Sequence, residues 1–146
     1  MDKLQNVGFL LKDITRRYVD RFEEHARALS LTLMQCKVLG TLERTEGVSQ
    51  ARLAEVVGVD AMTMVRLIDR MEEDSLVERR PDPEDRRARR LFLTPKAKPM
   101  LEQIWRLVAQ VRTEMFDGVS RTDRDCFLRV LETAHANLST FERKAS

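Results

Sequence analysis

"SQARLAEVVGVDAMTMVRLIDRMEEDSLVERRPDPEDRRARRLFLT", residues 49–94, changes its periodicity partway along, and that change decides the fold. The first part has a helical rhythm. Ser49 is a good N-cap for a short helix that Gly58 closes, and Asp60 caps a second helix with Met64, Leu67, Ile68 and Met71 on its inner stripe. Within residues 50–69, Leu53, Ala54, Val57, Gly58, Val59, Met64 and Leu67 fill the small, apolar and glycine positions of a helix-turn-helix. Two helices crossing at roughly 90–120° need a small residue at the contact and glycine in the turn. Beyond Ser75 the rhythm becomes that of strands. Pro81 and Pro83 forbid helix through "PDPED", while Val77 with Leu91 and Leu93 supplies the apolar side of a small antiparallel hairpin.

Charge gathers in that hairpin. Six arginines lie between Arg79 and Arg90 against Asp82, Glu84 and Asp85, a local charge of +3 in a chain whose net charge is only +2. A hairpin directly after a helix-turn-helix is a wing. A narrow basic finger can follow the sugar-phosphate backbone and enter the minor groove, whose potential attracts arginine. Arg86 and Arg87 sit near the tip, beside Asp85, whose expected task is to hold an arginine in one rotamer. Arg89 and Arg90 lie where the strand would cross phosphates.

Wound at 100° per residue, the second helix turns Met62, Thr63, Arg66, Asp69, Arg70 and Glu73 away from the core. Its N-terminal part suits the major groove, with Thr63 for phosphate or base, Arg66 for guanine and Met62 for a thymine methyl. The acidic end "EEDS" points away from DNA. The expected DNA-binding set is therefore Ser49, Gln50, Met62, Thr63, Arg66, Arg70, Asp85, Arg86, Arg87 and Arg89. The bland alternative for Arg66 and Arg70 is surface pairing with Asp69 and Glu73. For the arginine loop it is a solvated turn, or an RNA-binding or membrane-binding patch.

Long amphipathic helices flank this block. From Leu4 to Leu29, the residues Leu4, Val7, Leu11, Ile14, Tyr18, Phe22 and Leu29 mark one helix. A helix after Thr32 carries Met34, Val38, Leu39 and Leu42 inward and ends at Gly47. Thr94 caps a helix with Pro95 at its first position, carrying Leu101, Ile104, Val108, Val111 and Met115, and Gly118 stops it. Ser120 and Asp123 form a capping box for a last helix with Phe127, Leu131, Ala134, Leu138 and Phe141 inward. The fold class is mostly α. Residues 1–30 and 96–146 read as dimerisation helices around a winged helix-turn-helix at 31–95. The terminal stripes exceed what the middle block can cover, so a twofold dimer is expected, the alternative being packing on each other within one chain.

The bulk numbers exclude several classes. At 146 residues, with 42% hydrophobic and 34% charged residues, the chain is an ordinary globular one with no membrane span. A cytoplasmic location is expected. Cys36 and Cys126 are far apart without metal spacing; Cys36 reads as a buried inert thiol and Cys126, near a helix start, as the more reactive one. His25 and His135 have no partner pattern. No nucleophile–base pair, metal cluster or phosphate loop is visible, so neither an enzyme, a cofactor nor a metal is expected.

The wing "DPEDRRARRLFLT", the stretch "LAEVVGVDAMTMVRLIDRMEEDSLVERR" and the flanking helices resemble the MarR family of winged-helix regulators over nearly the whole chain. The tail "DRRARRLFLTPKAKPML", with Ala97 and Pro99, and the start "NVGFLLKDITR" look most like its SlyA-like branch. The resemblance implies a homodimer built from the first and last two helices on a pseudo-palindromic operator. It also implies that Arg87 or Arg86 enters the minor groove, that Asp85 orients it, and that Arg66 reads the major groove. It implies release from double-stranded DNA by a small aromatic acid, for which Arg17, Tyr18, Arg21 and Met34 are candidate liners. Solvated arginines and core packing are the plainer roles for those four. Ala61 and Met62 depart from the polar or basic residues of many members, and Cys36 from a frequent aromatic. A winged helix that docks on another protein is the competing function.

Overall fold

A computed structural model describes residues 3–144, without the side chains of 141–144. Phe141, expected on the last helix's inner stripe, lies outside the described side chains. The order is a 3₁₀ turn (Lys3–Asn6), α1 (Val7–Ala26), α2 (Leu33–Arg44), α3 (Gln50–Val57), α4 (Ala61–Glu73), β1 (Val77–Pro81), β2 (Arg89–Leu93), α5 (Ala97–Met115) and α6 (Arg121–Lys144). This is a mostly helical winged helix-turn-helix with one two-stranded antiparallel sheet. The chain divides after Val111 into two compact units.

In the first unit the starts of α2, α3 and α4 are each fixed by a local side-chain cap. Thr32 accepts the Gln35 amide while the Gln35 side chain accepts the Thr32 amide, a complete capping box. Ser49 accepts the Arg52 amide and Asp60 the Thr63 amide. Gly58, at φ 82°, closes α3 in the left-handed conformation and turns the chain toward α4. Val38, Leu39, Leu42, Leu53, Met64, Ile68 and Leu91 are fully buried, so α2, α3, α4 and β2 share one core.

The hairpin pairs Val77 with Leu93 and Arg79 with Leu91, as the apolar alternation requires. It is not alone. The Gly47 amide donates to Leu91, the Leu91 amide donates to Val48, and Ser49 bridges Arg90, so residues 47–49 line the outer edge of β2.

Several expectations need correction. The first helix runs Val7–Ala26 rather than to Leu29, because Thr32 takes the extended backbone of an N-cap. Leu4, Val7 and Leu11 are exposed, while Phe22 and Ala26 carry that helix into the core. The second helix ends at Arg44, and Gly47 shapes the turn beyond it. Met34 and Leu67 are only half-buried. Thr94 does not cap α5: its hydroxyl donates to the Ser75 carbonyl, and α5 begins at Ala97 after a turn.

In the second unit, Phe116 and Phe127 meet edge to face at 5.7 Å. Arg124 donates to the Phe116 and Val119 carbonyls and closes the turn before α6. Ser120 and Asp123 form the expected cap. The inward stripe is not observed as buried, however: Phe127 and Leu131 are half-buried, while Ala134 and Leu138 are exposed. Among the described residues no helix is long and apolar enough to cross a membrane, and no cluster of metal-ligating side chains occurs.

Candidate nucleic-acid interface

The hydrogen bonds of the six wing arginines divide them into two sets. Arg79 turns inward and is held by Gln50, Asp69 and Glu72. Arg80 pairs with Glu78 and lies over the Phe92 ring at 3.9 Å. Arg90 pairs with Asp82 at 2.9 Å. Those three build the hairpin. Arg86, Arg87 and Arg89 are exposed at the tip. Arg89 donates only to the backbone carbonyls of Arg86 and Ala88. The guanidinium groups of Arg86 and Arg87 have no partner among the described residues.

Two carboxylates shape the tip. Asp82 accepts the amides of Glu84 and Asp85 as well as the Arg90 guanidinium, so its side chain pins both ends of the loop. The Arg90 hydrogen bond, then the Glu84 amide, holds the Asp82 carboxyl below the usual aspartate value. Asp85 accepts the Arg87 amide at 2.9 Å. It holds backbone, not the guanidinium that the sequence reading assigned to it. The reason is reach: an aspartate carboxylate meets the amide two residues on within one tight turn.

On α4, Met62, Thr63, Arg66, Asp69, Arg70 and Glu73 are all exposed, as the helical winding predicts. Asp69 pairs with Arg79, and neither Arg66 nor Arg70 has a side-chain partner among the described residues. The surface-pairing alternative for those two arginines is therefore not observed. Thr63 differs from expectation. Its hydroxyl donates to Asp60 at 2.7 Å, leaving only acceptor lone pairs in this arrangement, and these suit a base amino group rather than a phosphate. Ser49 and Gln50 also have fold-building tasks, as the α3 cap and as the acceptor of Arg79 Nε. Ser49, Gln50, Asp85, Arg87 and Arg89 line one cleft of about 410 Å³ between the starts of α3 and α4 and the wing tip.

The proposed effector liners are mostly not brought together. A cavity of about 430 Å³ is walled by Tyr18, Phe22, Cys36, Lys37, Arg44 and Trp105, among others. Of the four expected residues only Tyr18 reaches it. Arg17 pairs with Asp13 and Arg21 with Glu24, both on the exposed face of α1, and Met34 lies off the cavity. The cations at this cavity are Lys37 and Arg44, which the sequence reading missed. Trp105 donates its indole N–H to Glu43 at 2.6 Å and lies 5.8 Å from the Arg44 guanidinium. Burial pushes the Cys36 thiol up to about 11, which keeps it protonated and unreactive at neutral pH.

A helix-turn-helix with unpaired arginines on its second helix and at its wing tip defines the class of DNA-binding winged-helix regulators. The MarR family profile matches residues 31–88. Among solved structures, the transcriptional regulator PA3341 is 33% identical, with 91% of this chain and 98% of that one covered at a TM-score of 0.79. The transcriptional repressor CouR, bound to a 23-mer DNA duplex, is 29% identical over 92% of this chain and 96% of its own, at 0.77. A crystal structure of MarR is 25% identical over 99% of this chain and 98% of its own, at 0.85. The chain belongs to the MarR family of winged-helix transcription regulators.

Proposed function

We propose that the chain is a ligand-responsive, cytoplasmic transcription regulator of the SlyA-like branch, a repressor or anti-silencer that binds a pseudo-palindromic operator as a homodimer. Helix α4 enters the major groove, where Arg66 reads guanine and Arg70 and Met62 flank it. The wing tip enters the minor groove through Arg87 and Arg86, with Arg89 on the phosphates. Residues 31–95 form the DNA-binding domain, and residues 1–30 and 96–146 the dimerisation helices. One observation carries the reading: the guanidinium groups of Arg66 and Arg70 on α4 and of Arg86 and Arg87 at the wing tip have no partner among the described residues, while Arg79, Arg80 and Arg90 are tied down.

Two further features support its details. Leu4, Val7, Phe9 and Leu10 on the N-terminal stretch and Leu128, Val130 and Leu138 on α6 are exposed apolar side chains of the kind a second copy covers. The cavity at Trp105 offers apolar walls with two cations, which suits a small aromatic acid with its ring against Trp105 and Tyr18 and its carboxylate on Lys37 or Arg44. The test is capture of genomic DNA fragments by the purified protein, repeated with candidate aromatic acids. Recovery of a shared palindromic site, released by one such acid, is the expected result. Recovery of proteins but no duplex would identify a protein-docking module instead.

A further inference from the structure

Arg79 carries the same charge as the tip arginines but points back into the fold, with its side chain only 18% exposed. Its Nε donates to Gln50 Oε1 at 2.9 Å, and its Nη1 donates to Asp69 Oδ1 and Glu72 Oε2, both at 2.6 Å. Its Nη2 donates to the Val65 carbonyl at 3.1 Å, and its backbone amide to Glu72 Oε1 at 2.8 Å. The partners lie on two elements, the first residue of α3 and the middle and last turn of α4, so Arg79 ties both helices to β1, on which it stands. Val65 and Asp69 bracket Arg66, the candidate base reader. A rigid planar fork with five donors can serve such divergent acceptors at once, and a lysine cannot.

We infer that Arg79 is a positioning residue that sets the angle between α4 and the wing, and with it operator specificity, without touching DNA. The inference rests on the DNA-binding reading above. The mechanical reason is a lever. Helix α4 and β1 are joined by a short corner at Asp74–Leu76, where Ser75 has φ 58°, and the wing then runs outward from β1. The strand from Arg79 to the start of the tip loop is about 10 Å long, so a rotation of about 10° at its base moves the tip by about 2 Å. That displacement exceeds the tolerance of a hydrogen bond. A palindromic site must meet α4 and the wing in two adjacent grooves together. Random duplex, held through its phosphates alone, accepts either arrangement.

The test compares Arg79→Lys with wild type on the captured operator and on random duplex over a range of salt concentrations, with urea unfolding to verify the fold. Folded Arg79→Lys is expected to bind the operator about tenfold more weakly, with random-duplex affinity and salt slope as in wild type. Should that variant fail to fold, Glu72→Gln, which keeps the side chain's shape, carries the same comparison and is expected to change in the same direction. A purely structural role would lower the unfolding midpoint and leave the operator-to-random ratio intact, which overturns the inference. A salt slope reduced as far as by a tip substitution overturns it too, by putting the guanidinium on a phosphate. If wild type ignores every duplex, the DNA-binding reading itself fails, a result distinct from either.

Discussion

At Arg66 the surface of α4 carries a guanidinium with no partner among the described residues, while Asp69, three positions on, is held by Arg79. An arginine left free beside an engaged acid is poised for an external acceptor, and guanine offers two in the major groove. Arg66→Ala should therefore lower the preference for operator over random duplex by about tenfold, measured by competition binding. An unchanged preference would remove Arg66 from the readout. Asp82 gives a second prediction at this scale. Its folded carboxyl lies below the usual aspartate value because Arg90 and the Glu84 amide stabilise the charged form. The resulting stability is fully present above the unfolded value of about 3.9 and is lost as pH falls through the lowered folded value. The gap in urea midpoint between wild type and Asp82→Asn should be open at pH 7 and close in acid. A gap that stays constant with pH would show that the charge is not what matters. Asp82 was legible in "PDPED" as a loop-pinning residue, since an aspartate before a proline turn accepts nearby amides.

Among the elements, the helix-turn-helix depends on one backbone conformation. Gly58 sits at φ 82° with open space where a Cβ would stand, so a larger residue there meets backbone strain and no clash. Gly58→Ala should cost about 1 kcal/mol, read as a lower urea midpoint at unchanged slope; a neutral result would mean the α3–α4 turn relaxes freely. The elements themselves were largely readable, because caps and periodicity are local. Ser49, Gly58 and Asp60 bound α3 and α4 at the expected positions. What was not readable depended on distant partners. Thr94 looks like a cap until Ser75, nineteen positions away, takes its hydroxyl. Arg79 looks like one more wing charge until Gln50, twenty-nine positions away, accepts it. Arg17, Arg21 and Met34 lie off the cavity that Tyr18 reaches for the same reason: a helical face says which residues turn together, and only packing says which face meets a cavity.

For the whole molecule, the central claim is electrostatic. Glu78, Asp82 and Asp85 are engaged in building the hairpin, so the tip arginines remain available for phosphate, and each phosphate neutralised releases counterions. The exposed apolar side chains near the N-terminus and on α6 add the expectation of two such wings per particle. The most direct measurement is a salt titration of operator binding by fluorescence anisotropy, comparing wild type with the Arg86→Ala/Arg87→Ala double variant. A linear fall in log affinity against log salt is expected for wild type, and for the variant a slope shallower by about one unit for each arginine lost from each engaged wing. Identical slopes in the two proteins would contradict it.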